Sequence, residues 1–343
     1  MANDNSSLPA YMADLGNGQT LDRIGQGFCG TVWAAVPYKR QQLCIKREDG
    51  APGRSITHEY EVQRVVSAAL MEKDQAGGVL VPICHGFLKK DDPNWQGLLP
   101  RFPAGYEACN AMVSERIPPV GEVTRRELID RYCPEDLQGK IRTGGSNEAC
   151  LVRLYLGRRR KHVHDPDQPS RRRFFSLRNF PLHADQIEEL WLPSCGFAGS
   201  MGKALAFLNW GQGLDGNDVE FVLGGRRRMP NCRISNWYSE SLGPYDVWML
   251  DFDCCRHITM DEDGVEQIVR AFWRNDPYYP RPGGGAEDEE AWKAFVEAYR
   301  HASMKIIRSD AGLRKKHGGK YLEGLVNLVL TRIPQTKGTY TKG

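Results

Sequence analysis

Three glycines in the segment Ile24-Gly25-Gln26-Gly27-Phe28-Cys29-Gly30-Thr31-Val32-Trp33 constrain this chain more than any other feature. The G-x-G-x-x-G spacing exposes backbone N–H groups that can approach phosphate oxygens closely. Dinucleotide-binding folds share the spacing, but there a helix opens at the glycines. Here Thr31-Val32-Trp33 favours a strand after the turn, so a glycine hairpin is expected over residues 20–36, with a third strand over 42–46. The plain alternative is a hairpin without any ligand.

An ordered set of charged residues follows. Lys46 ends the third apolar run, 16 residues after Gly30. A segment opening at Thr57 places Val62, Val65, Val66 and Ala69 at i, i+3, i+4 and i+7, which predicts a helix with one apolar face. That helix carries Glu59 and Glu61, either of which can partner Lys46; the position of Val62 and Val66 favours Glu59. Asp215 and Glu220 come much later, and Asp251 last, in Trp248-Met-Leu-Asp-Phe-Asp253. Protein kinases place a glycine-rich loop, a phosphate-binding lysine, a helix glutamate, a catalytic loop and a metal-binding aspartate in this order. The expected fold is therefore α+β, protein-kinase-like and bilobed, with a small β-rich N-lobe and a larger, mainly helical C-lobe.

Within that frame, residues 1–18 read as a flexible polar arm, 19–118 as the N-lobe and 119–343 as the C-lobe. Further N-lobe strands are expected at 79–84 and 109–115, and Pro118-Pro119 marks the connection out. Apolar spacing predicts C-lobe helices over 198–210, over 288–307 and around Leu322–Val329. The β-like runs 219–223 and 247–252 are expected to pair as a small hairpin carrying the catalytic segments.

Several residues depart from a kinase. Glu220 stands where a metal-binding asparagine follows the catalytic aspartate, and Asp253 replaces the glycine of Asp-Phe-Gly. Asp218 is an extra carboxylate, and Gln212-Gly-Leu precedes Asp215 in place of His-Arg. Asp215, Asp218, Glu220, Asp251 and Asp253 in one cleft would not all stay ionised without a cation, either Mg²⁺ or a guanidinium. An acidic surface turn is the bland reading of 215–220, opposed by the apolar Val219, Phe221, Val222 and Leu223.

Basic residues cluster in Arg158-Arg159-Arg160-Lys161, Arg171-Arg172-Arg173 and Arg226-Arg227-Arg228, although the net charge is only +3. Arginines beside Phe174 and Phe175 suit phosphate contact with base stacking; solvated loops are the plain alternative. Ten cysteines show no C-x-x-C pair, and no secretory signal or apolar run of about 18 residues is visible. The expectation is a reducing, cytoplasmic setting with no membrane partner, in preference to five disulfides.

The segments 24–33, 44–46, Asp215-Gly-Asn-Asp-Val-Glu-Phe-Val-Leu-Gly224 and 248–256 resemble a fungal family of kinase-like proteins that includes arginine-containing cyclodipeptide synthases. The resemblance implies an aminoacyltransferase that joins arginine, from arginyl-tRNA, to a second amino acid from another aminoacyl-tRNA, closing a diketopiperazine of secondary metabolism. It implies Asp215, Asp218 and Glu220, with Asp251, as catalytic residues. The substrate would meet Gly25, Gly27, Gly30, Lys46, Glu59 and Asp253, and the arginine triplets with Lys161 would hold tRNA, not DNA. No cofactor is firmly implied, with Mg²⁺ open. An ATP-dependent phosphotransferase and an inactive kinase-like scaffold are the alternatives.

Overall fold

The computed structural model describes residues 19–35, 43–72, 76–160, 175–227 and 237–340. The N-terminal arm, Lys161, Arg171, Arg172, Arg173 and Arg228 lie outside them. The chain divides into two compact units: Met1–Glu72 with Val81–Pro118 and Leu250–Cys254, and Lys73–Leu80 with Pro119–Met249 and Cys255–Gly343.

The first unit is built on one five-stranded antiparallel sheet. Its strands are β1 (Leu21–Gln26), β2 (Thr31–Ala35), β3 (Leu43–Arg47), β4 (Cys84–Leu88) and β5 (Ala111–Glu115), in the order β1-β2-β3-β5-β4. Strand periodicity sorts β3 by face. Leu43 and Ile45 join a core with Leu21, Trp33, Leu88 and Val113. Arg47, on that same side, is buried with its guanidinium 4.7 Å from the Phe102 ring and 5.2 Å from Trp95 in α2 (Trp95–Leu98). Lys46 is thereby turned to the other face.

The helix α1 (Ile56–Glu72) forms where the apolar spacing predicts it. Its buried stripe, however, is Glu59, Val62, Gln63, Val66 and Ser67, while Val65 is half exposed. The helix is rotated from the all-valine face so that Glu59 and Gln63 turn inward. Gln63 donates to the Pro82 carbonyl at 2.9 Å, and Glu59 meets Lys46. The strand expected at 79–84 begins only at Cys84. Pro82 has no N–H for a ladder, and Leu80 instead makes a lone parallel bridge to Trp248.

The second unit is less purely helical than the sequence pattern suggests. After α3 (Glu122–Tyr132) and α4 (Glu135–Thr143) come β6 (Val152–Tyr155), β7 (Phe180–His183), α5 (Ala184–Glu189) and α6 (Ser194–Ala206). Next are β8 (Glu220–Gly224), the short pair β9 (Tyr238–Ser239) and β10 (Gly243–Pro244), and β11 (Asp246–Leu250). The unit closes with α7 (Glu262–Arg274), α8 (Ala286–Ser309), α9 (Ala311–His317) and α10 (Gly319–Gln335). β8 and β11 are neighbours, as expected, but within a four-stranded sheet of order β11-β8-β6-β7 in which β6 and β7 run parallel. Four-residue strands such as β6 carry too few alternations to register against the helical background.

Helices α6 and α8 pack closely because Gly202 permits it: a Cβ there would sit 2.5 Å from the Phe295 carbonyl oxygen. Phe272 stacks on Tyr279 with centroids 5.3 Å apart, and Phe295 on Trp292 at 5.7 Å, filling the space around this contact. The nine cysteines among the described residues are free thiols.

Candidate active-site segments

In the first unit, Lys46 is the centre of a buried ionic cluster. Its Nζ donates to Glu59 Oε1 at 2.6 Å and to Asp251 Oδ1 at 2.8 Å. Glu61 faces solvent, so Glu59 is the helix partner. Burial alone would push the Lys46 ammonium down, but Asp251 and Glu59 outweigh it and hold it well above the usual lysine range. Burial raises the Glu59 carboxyl to about 7 despite Lys46. The Lys46–Glu59 bond from the third strand to the following helix is the one that active protein kinases assemble.

The glycine loop joins β1 to β2. Gly27 N–H donates to the Gly30 carbonyl at 2.9 Å, closing the turn. Gly30 has no room for a side chain, since a Cβ would lie 1.9 Å from the Arg47 carbonyl oxygen. Gly25 marks an irregularity in the β1–β2 register, and Gly27 is open to solvent. At the loop tip Phe28 is 74% exposed, with the Arg54 guanidinium 5.6 Å from its ring.

Arg54 also answers for the charge at Asp253. Its Nη1 donates to Asp253 Oδ2 at 2.7 Å and contacts Cys254 Sγ. Asp253 is buried, so the second carboxylate of Asp-Phe-Asp is compensated by an arginine that the motif reading did not single out. Its one signal was a position two residues before the apolar-periodic helix.

In the second unit, the catalytic-loop-like segment is carried by the end of α6, which widens into a π-helical turn over Phe207–Gly211. Such turns are frequent at functional sites. Buried Asn209 donates to the Leu214 carbonyl at 2.8 Å. Tyr299 donates to Asn209 Oδ1 at 2.8 Å and accepts from Trp210 Nε1 at 3.0 Å. This network fixes the chain immediately before Asp215.

Asp215 is 5% exposed and fully engaged. Its Oδ1 accepts from the backbone N–H of Asn217 at 3.1 Å and of Arg256 at 2.9 Å, and its Oδ2 accepts from Gln267 at 2.9 Å. Glu220 is held by Arg153 on β6 at 3.0 Å. Tyr278 lies beside the pair; burial, and then the charge of Glu220, push its hydroxyl far above the usual tyrosine range. Arg153, Gln267 and Tyr278 belong to segments with no motif, so only the fold reveals them.

Asp218 has φ 63° and Asp251 φ 68°. Left-handed backbone is uncommon outside glycine and clusters at functional sites. Asn179 and Trp191 are the other non-glycine residues at positive φ among those described, so two of four fall on the candidate catalytic segments.

The first arginine triplet is committed within the second unit. Arg158 pairs with Asp276 at 2.5 Å, Arg159 with Glu188 at 2.6 Å and Asp288 at 2.8 Å, and Arg160 with Asp185 and Glu189, both at 2.5 Å. Five carboxylates thus surround three guanidiniums, which makes this a structural ionic network. Arg227 lies over the Trp248 ring at 4.9 Å, and Arg226 is exposed.

The kinase-like order of the motifs raises Mg²⁺ as a candidate ligand. In the first unit one oxygen of Asp251 accepts from Lys46, and in the second unit Glu220 is paired with Arg153.

A family model, DUF3669, described as a zinc finger protein, matches residues 247–311. That stretch holds Cys254, Cys255, His257 and His301, with no pair of cysteines two residues apart. The chain is also similar to the kinase domain of maize sucrose-induced receptor kinase 1 bound to AMP-PNP, with 11% identity over 99% of this chain and 94% of that one and a TM-score of 0.30. No curated protein matches. The first unit joins a β1-β2-β3-β5-β4 sheet to a Lys46–Glu59 bond between its third strand and the following helix, the ion pair that protein kinases use.

Proposed function

We propose that this chain is a tRNA-dependent aminoacyltransferase that forms a cyclo-Arg-X diketopiperazine. The observation that carries this reading is the Arg153–Glu220 pair at 3.0 Å. It places a guanidinium on the carboxylate that a phosphotransferase would offer to its second metal ion. The fold's phosphotransfer apparatus is thereby altered at a defined position, and the sequence resemblance supplies the alternative chemistry.

In this reaction the α-amine of one aminoacyl group attacks the ester carbonyl of the other. A C–N bond forms, the 3′-hydroxyl of the tRNA leaves, and the amine loses one proton; ring closure repeats the exchange. The base must be a carboxylate within hydrogen-bond reach of the amine. Asp218 is assigned this role because it lies on the loop between Asp215 and Glu220 and is presented at positive φ. Asp215 and Glu220 position the loop on either side of it. Asp251 and Glu59 supply negative charge around Lys46 in the first unit.

Mass spectrometry of cells expressing the chain tests this reading. A cyclo-Arg-X product is expected, lost in Asp218→Asn. Synthesis in extract must also stop when RNase is added.

A second reading, ATP-dependent phosphoryl transfer, is favoured by the Lys46–Glu59 bond at 2.6 Å, which suits a nucleotide-phosphate clamp. Transfer of labelled γ-phosphate from ATP to an acceptor, with no diketopiperazine formed, would select it.

A further inference from the structure

The basic segment over residues 310–321 differs in its electrostatics from Arg158–Arg160. Residues 310–321 read Asp-Ala-Gly-Leu-Arg-Lys-Lys-His-Gly-Gly-Lys-Tyr. They contain four cations, Arg314, Lys315, Lys316 and Lys320, and one carboxylate, Asp310. All four cations are exposed, and none forms an ion pair with a carboxylate among the described residues. Asp310 is used as the cap of α9, accepting from Leu313 N–H at 2.8 Å. Glu323, the next acid, is paired with Arg308 at 3.0 Å. An uncompensated strip of charge is therefore concentrated on the seven residues of α9 and the first turn of α10.

Two further observations say what such a strip meets. Tyr321 follows Lys320 and is 50% exposed, an aromatic face beside a row of cations. Next to the strip, a recess of 590 Å³ is lined by the apolar Ile258, Met260 and Leu313, by Lys316 and His317, and by the acids Asp261 and Asp310. Both acids are engaged as helix caps: Asp261 caps α7 by accepting from Gly264 N–H at 3.0 Å and is also bonded to Thr259, and Asp310 caps α9. Cations that follow a phosphate backbone and an exposed aromatic ring are the components of single-stranded nucleic-acid recognition. An acidic membrane surface would be met by cations together with inserting Leu, Phe or Trp side chains, and among the exposed large apolar residues this strip has only Tyr321.

We infer that α9 and the first turn of α10 form an RNA-docking surface. Arg314, Lys315, Lys316 and Lys320 contact phosphates, and Tyr321 stacks on an unpaired base. The inference rests on the aminoacyl-tRNA reading for its choice of RNA, but it concerns a surface that reading did not use.

Binding of uncharged total tRNA and of a labelled 12-nucleotide single-stranded RNA to the full chain tests it without turnover. The triple variant Lys315→Glu/Lys316→Glu/Lys320→Glu should weaken both affinities at least tenfold at 0.1 M salt. The slope of log affinity against log salt should shrink by roughly 2–3, one step per lost phosphate contact. Tyr321→Ala should weaken the single strand about fivefold or more. Lys90→Glu, an exposed lysine of the first unit, serves as the control charge reversal, with a smaller effect expected, and the thermal melting of every variant is compared with that of the parent chain. Wild-type RNA affinity in a folded triple variant would overturn the inference, even if RNase-sensitive diketopiperazine is formed. So would charge-dependent binding to phosphatidylserine vesicles with no RNA binding. Intact, strip-dependent tRNA binding in a chain that makes no diketopiperazine would sustain the surface and reject the synthase reading alone.

Discussion

Arg153 and Glu220 lie 3.0 Å apart, joining β6 to the first residue of β8. Both side chains are largely buried, at 27% and 17% exposure. A pair of this kind contributes little net stability when intact, but removing one partner strands the other. Arg153→Met should therefore destabilise the chain by about 1–3 kcal/mol, the cost of a charge left without its partner in a partly wet site. Arg153→Met/Glu220→Leu should recover much of that loss. Urea unfolding midpoints of the three proteins measure the difference, and additive losses in the double variant would contradict the pairing.

Glu59 gives a pH dependence of defined sign. Its carboxyl rises from 4.5 to about 7 on folding because burial disfavours the charged form. The folded chain therefore holds more protons than the unfolded chain between these values. Stability contributed by this group is present at pH 5 and declines as pH rises toward 7. Glu59→Gln removes that part of the slope. Comparing unfolding free energies at pH 5 and 7.5 should show the variant losing less than the parent over the interval; parallel lines would contradict the assignment.

Asp218 is held at φ 63°, a conformation that costs an aspartate on the order of 1 kcal/mol. Asp218→Gly should keep or slightly raise the melting temperature while lowering product formation at least tenfold. A variant that loses stability and retains activity would contradict its role as base.

The Asn209–Tyr299–Trp210 network ties the π-helical turn to α8. Tyr299→Phe leaves the Asn209 oxygen without its donor and Trp210 Nε1 without its acceptor, at an expected cost of about 1–3 kcal/mol. Because Asn209 also bonds the Leu214 carbonyl, activity should fall more than the stability loss explains. Residual activity measured well below the melting temperature separates the two effects.

The sequence pattern reveals the skeleton of the site because its determinants are local. Glycines at a tight turn, a lysine ending an apolar strand and carboxylates ahead of apolar runs all leave marks at fixed spacing. The five-stranded sheet and the Lys46–Glu59 bond follow from them. The partners that decide the chemistry are long-range and leave no such mark. Arg153 is 67 residues from Glu220, Arg54 is 199 from Asp253, and Gln267 is 52 from Asp215. The all-valine face assigned to α1 fails for a related reason: hydrophobicity alone cannot show that Glu59 and Gln63 find buried partners and displace Val65 to the surface. The first arginine triplet looks like a nucleic-acid site by composition, and only the fold brings Asp185, Glu188, Glu189, Asp276 and Asp288 around it.

Incubating the purified chain with arginyl-tRNA and a mixture of other aminoacyl-tRNAs, and detecting products by mass spectrometry, tests the central claim most directly. The account predicts a diketopiperazine containing arginine, formed without ATP consumption during the transfer and abolished by prior RNase treatment. Phosphoryl transfer from ATP with no arginine-containing cyclic product, or product formation that is indifferent to RNase, would contradict it.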